Sequence, residues 1–199
     1  MTISAKTEKT ADADETLRSL KEAQGVGGRV FMTFSYLQAL IVFFVFLGFV
    51  IDKVHGDAMS EYGRDYTFPE FLQNAVIRSI LLAAAVSGVL LMFLSWRMGR
   101  RAGKFIGIAK RNFVWVGPVA AFWPSAFAAF AFVMTAALLD RRFERDVNRN
   151  FPLVMSMVTL FYFVPGILTG FFAGFVTRKR LRVRQKAAAI AREWIVESD

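Results

Sequence analysis

The sequence predicts an all-α polytopic membrane protein, a bundle of four transmembrane helices. Three observations carry this. Four apolar runs are long enough to cross a bilayer, Lys and Arg gather beside those runs, and small residues recur every fourth position inside three of them. The 199 residues are 55% hydrophobic and include 22 Phe, yet their formal net charge is +9. Such a chain must keep charge apart from its apolar runs, because an average protein is only about 45–50% apolar even with Gly counted. With no Cys and a single His, the chain excludes a disulfide scaffold, a Cys-ligated metal protein and a thiol enzyme.

The spans cover about 30–51, 71–96, 113–139 and 151–176, within a transmembrane domain of residues 29–177. About 20 residues at about 1.5 Å each cross a hydrocarbon core of about 30 Å. Residues 1–28 precede them as a polar segment with a weak helix at Asp14–Gln24 and a hinge at Gly25-Val26-Gly27-Gly28. The first span is rich in Phe (Phe43, Phe44, Phe46, Phe49) and poor in small residues, which places it at the edge of the bundle, facing lipid or a partner. It exceeds the about 7–15 residues of a signal-peptide apolar region and reads as a retained span.

Before the second span, Thr67-Phe68-Pro69-Glu70 forms a capping box with Pro in the first turn. Arg78 interrupts this span and is read as snorkelling to the headgroups; the functional alternative is an ion pair with Asp52 or Asp140, acting as a gate or an anion contact. Asn150-Phe151-Pro152 repeats the cap-Phe-Pro pattern before the fourth span. Pro118, Pro124 and Pro165 fall inside spans and are read as helix kinks, with a broken helix lining a solute site as the sharper alternative.

Small residues recur at Ser79, Ala83 and Ser87 in the second span, at Gly117, Ala121, Ser125 and Ala129 in the third, and at Gly166, Gly170 and Gly174 in the fourth. In lipid there is little hydrophobic drive between helices, so close backbone approach holds them together. Gly117, Ala121, Ser125, Gly166, Gly170 and Gly174 are the expected helix-packing residues.

Charge sets the orientation. The N-terminal segment, the second loop and the C-terminal tail together hold 18 Lys and Arg, against 6 in the first and third loops. The positive-inside rule therefore puts both termini in the cytoplasm, with a bacterial inner membrane as the default location. The same placement explains the basic excess without a nucleic-acid partner. In the second loop, Gly99, Gly103 and Gly107 stand among Arg100, Arg101, Lys104, Lys110 and Arg111. Each Gly costs a helix about 1 kcal/mol against Ala, so a mobile basic loop against anionic headgroups is favoured over a docking strip for a helix. With Arg178, Lys179 and Arg180 these cations are the candidate anionic-lipid contacts. Residues 178–199 form a basic tail with an amphipathic helix, whose apolar face is Val183, Ala187, Ile190 and Trp194.

Chemistry is hard to find. His55 lies with Asp52, Asp57, Glu61 and Asp65 in the first loop, but no metal-ligand spacing is matched and a solvated loop is the favoured reading. Gly99-Arg100-Arg101-Ala102-Gly103-Lys104-Phe105 is one residue short of a phosphate-binding loop, and Phe105 replaces the hydroxyl that would bind magnesium. No catalytic residue, cofactor or metal is expected. No span holds Asp or Glu away from its ends, which argues against a proton-coupled carrier. The expected function is that of a non-enzymatic accessory, assembly or scaffold subunit of a larger membrane complex. Its expected partners are other membrane-protein subunits or further copies of itself, and membrane lipids. The alternatives are a small oligomeric transporter or channel, and an anionic-lipid-binding protein.

Overall fold

The computed structural model describes the backbone at residues 2–62, 75–139 and 141–197, and side chains at 16–48, 51–52, 77–139 and 149–190. Four helices account for the regular structure of these residues: α1 Thr2–Tyr62, α2 Ala75–Gly107, α3 Phe113–Leu139 and α4 Arg141–Glu197. Each contains a stretch long and apolar enough to cross a membrane, within Thr16–Gly48, Ile77–Gly107, Phe113–Leu139 and Arg149–Ile190. The four form a bundle of the kind expected of an integral membrane protein. Each helix packs against its neighbour in sequence, and α4 closes the ring against α1.

Three helices, α1, α2 and α4, run well past their expected spans. The 61 residues of α1 amount to about 90 Å of helix, three times the thickness of a hydrocarbon core. The expected hinge at Gly25–Gly28 lies inside α1 and is helical, with Gly27 and Gly28 buried. Likewise α2 continues as helix through Gly99 and Gly103 to Gly107, in place of the expected mobile loop. One contact explains both departures. A Cβ on Gly27 would fall on the Gly99 carbonyl oxygen and lie 2.7 Å from the Gly103 Cα. A Cβ on Gly103 would fall on the Ala23 carbonyl oxygen, and one on Gly107 would lie 3.1 Å from the Ala23 Cβ. The glycine strip of α2 is thus a docking strip, and α1 of the same chain occupies it. Backbone-to-backbone contact offsets the intrinsic cost of glycine in a helix.

A second seam joins α3 to α4. A Cβ on Gly117 would meet the Gly170 carbonyl, and one on Gly170 would lie 2.7 Å from the Ala121 Cβ. A Cβ on Gly174 would lie 3.0 Å from the Phe113 carbonyl oxygen.

The first span is not confined to the edge. Phe31, Gln38 and Val42 are buried, and Phe46 stacks on Phe132 with ring centroids 4.6 Å apart, while Phe44 stays 64% exposed. Its inward residues meet α2, α3 and α4, a placement that counting small residues did not foresee. Two apolar clusters fill the bundle. One holds Ala23, Val30, Phe31, Ala102, Ala173 and Leu181; the other holds Val42, Leu91, Ala128, Phe132, Val158 and Tyr162.

Short-range signals place the helix ends. Asn112 caps α3, its Oδ1 accepting the Val114 N–H at 3.1 Å. The α2–α3 turn reverses at Lys110, with φ +48°, after the Lys104 and Phe105 carbonyls accept the N–H groups of Ile108 and Arg111. In α4 the backbone leaves helical geometry at Asn150 (φ −131°, ψ 35°), immediately before Phe151-Pro152. A proline there has no need of its missing N–H. The helices continue through Pro118, Pro124 and Pro165. The Thr67–Glu70 capping box lies outside the described residues.

The tail does not form a separate helix, because α4 runs unbroken from its span to Glu197. It packs beside the extended parts of α1 and α2: Leu181 is buried, its Cδ1 2.9 Å from where a Gly107 Cβ would stand. Arg184 Nη1 donates to Glu22 Oε1 at 2.8 Å, but both side chains are about half exposed, so the pair contributes little. Leu181 and the glycines hold this end together.

Overpacking of this kind costs about 1–3 kcal/mol or more. Gly27→Leu is therefore expected to lower the thermal midpoint, measured by circular dichroism in mild detergent. Gly25 has nothing within 4 Å of its Cβ position, so Gly25→Ala is expected to raise it. Equal effects of the two substitutions would refute the α1–α2 seam.

Candidate functional site

Two places in the bundle gather polar side chains. The first lies between the two apolar clusters. Gln38 of α1 is 1% exposed. Its Nε2 donates to Ser125 Oγ of α3 at 3.0 Å and to the Tyr162 carbonyl oxygen of α4 at 2.8 Å. Its Oε1 faces the Thr169 hydroxyl at 3.3 Å, and that hydroxyl also lies 2.8 Å from the Pro165 carbonyl oxygen. Ser87 of α2 joins from the other side. Its Oγ is 2.6 Å from the Tyr162 hydroxyl and donates to the Ala84 carbonyl at 3.1 Å, so the Tyr162 hydroxyl is the donor between the two.

This node ties all four helices together. Local chemistry prepares it. Pro165 lies in the helical turn that follows Tyr162, and its carbonyl oxygen lies 2.8 Å from the Thr169 hydroxyl. Gly166 leaves the space that the amide fills: a Cβ there would fall on Ser125 Oγ and lie 3.0 Å from Gln38 Nε2. Both hydrogens of the Gln38 amide are used, and its oxygen shares the single Thr169 hydroxyl hydrogen with the Pro165 and Gly166 carbonyls. In an apolar medium an unmatched amide is costly, so these bonds hold the helices in one register.

The second place is a groove of about 680 Å³ where α4 leaves its apolar run, lined by Phe113, Phe175, Arg178, Lys179, Arg182, Val183, Gln185, Lys186 and Ala189. The Arg178 guanidinium sits 5.1 Å over the Phe113 ring. Arg100 over Trp96 at 5.2 Å and Arg111 over Phe105 at 5.6 Å repeat the arrangement on α2 and the α2–α3 turn. Cations above aromatic faces form the amphipathic belt that suits a membrane–water boundary.

The expected site residues fall as follows. Gly117, Ala121, Ser125, Gly166, Gly170 and Gly174 are all buried and meet along α3 and α4. Of the expected lipid contacts, Arg178 and Lys179 line the groove, and Arg100, Arg101, Lys104, Lys110, Arg111 and Arg180 are exposed outside it. Arg78 and Asp52 are both exposed and do not form a salt bridge with each other; Asp140 lies outside the described residues. His55, Asp57 and Glu61 lie on the helical backbone of α1 rather than in a loop, and their side chains, like Asp65, are outside the described residues.

Sequence reasoning missed Gln38, although it is the single amide side chain in the run Val30–Ile51. It also missed Arg182 and Lys186, whose spacing from Arg178 and Lys179 puts them on the Phe175 face of α4. No protein-family model, curated protein or solved structure matches this chain.

Removing the amide strands the groups it joins. Gln38→Leu, similar in volume, is expected to cost about 1–2 kcal/mol. Ser87→Ala and Tyr162→Phe are expected to be non-additive, with a coupling near 0.6 kcal/mol and at most about 1.7. Reversible unfolding in mixed micelles measures both; full additivity would mean that the Ser87–Tyr162 bond does not contribute.

Proposed function

We propose that this chain is a non-enzymatic subunit of a larger membrane complex, acting as an accessory, assembly or scaffold protein. In this reading it lies in a bacterial cytoplasmic membrane with both termini inside. The observation that carries the proposal is how the central polar groups are used. A solute path needs polar atoms turned toward a ligand or water. Here Gln38, Ser87, Ser125, Tyr162 and Thr169 bond across the helices to one another and to backbone carbonyls. Their role is to fix the bundle.

The extended end adds to this. α1, α2 and α4 leave their apolar runs as a packed stem, and Val183 and Ile190 stay 60% and 54% exposed on it. Apolar side chains on a basic, helical stem suit a partner subunit beside the membrane. In this reading α4, packed against α1 and α2, carries this surface stiffly away from the bilayer, as a scaffold requires.

The test is extraction from the native membrane in mild detergent, followed by a native gel and mass spectrometry of the co-purifying chains. The expected result is a particle larger than this chain alone, with partner chains in fixed stoichiometry. A particle of this chain only would overturn the proposal and leave the oligomeric transporter or channel as the reading to test by solute flux in liposomes.

A further inference from the structure

We propose that the groove between α4 and the start of α3 holds one anionic phospholipid. Its phosphate lies among Arg178, Lys179, Arg182 and Lys186, and the upper part of an acyl chain lies over Phe113 and Phe175. This inference stands apart from the scaffold reading.

Charge complementarity is the first argument. Among the described residues four cations line the groove and no carboxylate does. Their spacing along α4 puts them on one face, so they converge on one space rather than spreading round the helix. Arg180, equally basic and exposed, lies off this face and does not line the groove. Phe113 opens α3, so the positive end of that helix adds to the field.

The apolar floor is the second argument, and it selects a lipid over a free anion. The Phe113 ring lies 5.9 Å from that of Phe171 and 5.8 Å from that of Phe175. This aromatic surface leads from the groove along the α3–α4 seam into the apolar run of α4. Inorganic phosphate would use the cations and leave the aromatic track empty; a phospholipid uses both. The volume of about 680 Å³ accommodates a headgroup and the first part of a chain, within the about 300–1,000 Å³ range of small-molecule sites. The Arg178 guanidinium over Phe113 marks the level at which the site changes from apolar to charged.

The experiment uses the full chain, purified and delipidated, in micelles holding equal amounts of dioleoylphosphatidylglycerol and dioleoylphosphatidylcholine. Native mass spectrometry counts the lipids retained. The wild type is expected to retain phosphatidylglycerol preferentially. Lys179→Gln with Arg182→Gln is expected to reduce that retention about tenfold, whereas Arg101→Gln with Arg180→Gln, the same loss of charge outside the groove, changes it less than twofold. Lys179→Arg with Arg182→Lys keeps the charge and is expected to keep the lipid. Circular dichroism melting of each variant confirms the fold. Equal losses in the two Gln pairs would overturn the proposal, since charge alone would then explain retention. Displacement by millimolar inorganic phosphate would also overturn it, since the groove would then read a phosphate anion rather than a lipid.

Discussion

The dimensions of the bundle follow from two places where helix backbones meet with no side chain between them. Gly27 faces Gly99 and Gly103 in one, and Gly117 faces Gly170 and Gly174 in the other. Between lipid-embedded helices the hydrophobic effect provides little attraction, so dispersion at short range and hydrogen bonds must do most of the work. Both glycine seams lie toward the basic end. Farther along, the larger Leu91, Phe132 and Tyr162 fill the interior. The first seam also extends past the apolar run of α2, so the packing that joins α1 to α2 does not stop where the hydrocarbon would.

Gln38 then converts close packing into a particular arrangement. Glycine seams tolerate sliding, because one stretch of bare backbone resembles the next. A side-chain amide does not, since its bonds to Ser125 and the Tyr162 carbonyl form in a single register. Interior polarity in this protein is thus spent on its own helices, and the exposed apolar and basic side chains lie outside, on the stem and in the groove at its root. The basic residues divide accordingly. Arg100 of α2 caps an aromatic ring and Arg101 and Lys104 face outward, whereas Arg178, Lys179, Arg182 and Lys186 of α4 share one side of the helix with Phe175.

The sequence shows the number of helices, where their apolar stretches lie and the α3–α4 seam plainly, because apolar run length and four-residue spacing are local properties. What it concealed was pairwise. Gly99, Gly103 and Gly107 look like breakers when weighed one helix at a time, since the propensity cost is local and the compensating contact with Ala23 and Gly27 comes from about 80 residues away in the chain. Gly25 to Gly28 suffered the same misreading. Gln38 could have been noticed as an isolated amide in an apolar run, but its partners are a serine, a tyrosine carbonyl and a threonine on other helices, and no spacing rule joins them. Half of the groove was legible. Arg178 and Lys179 stood out as a cluster, while Arg182 and Lys186 required the helix to continue without a break beyond the span.

The partners of Gln38 also join two halves of the molecule. α1 and α2 can pair through their own glycine seam, and α3 and α4 through theirs, so the protein is built from two helical hairpins. Every hydrogen bond that the Gln38 side chain makes goes to Ser125, Tyr162 or Thr169, all in the second hairpin. A pair of α1 and α2 alone thus holds an amide without those partners, and an amide left unmatched in an apolar medium is costly. Completion of the molecule and quenching of that polar group are one event, and an incomplete molecule carries its own chemical mark.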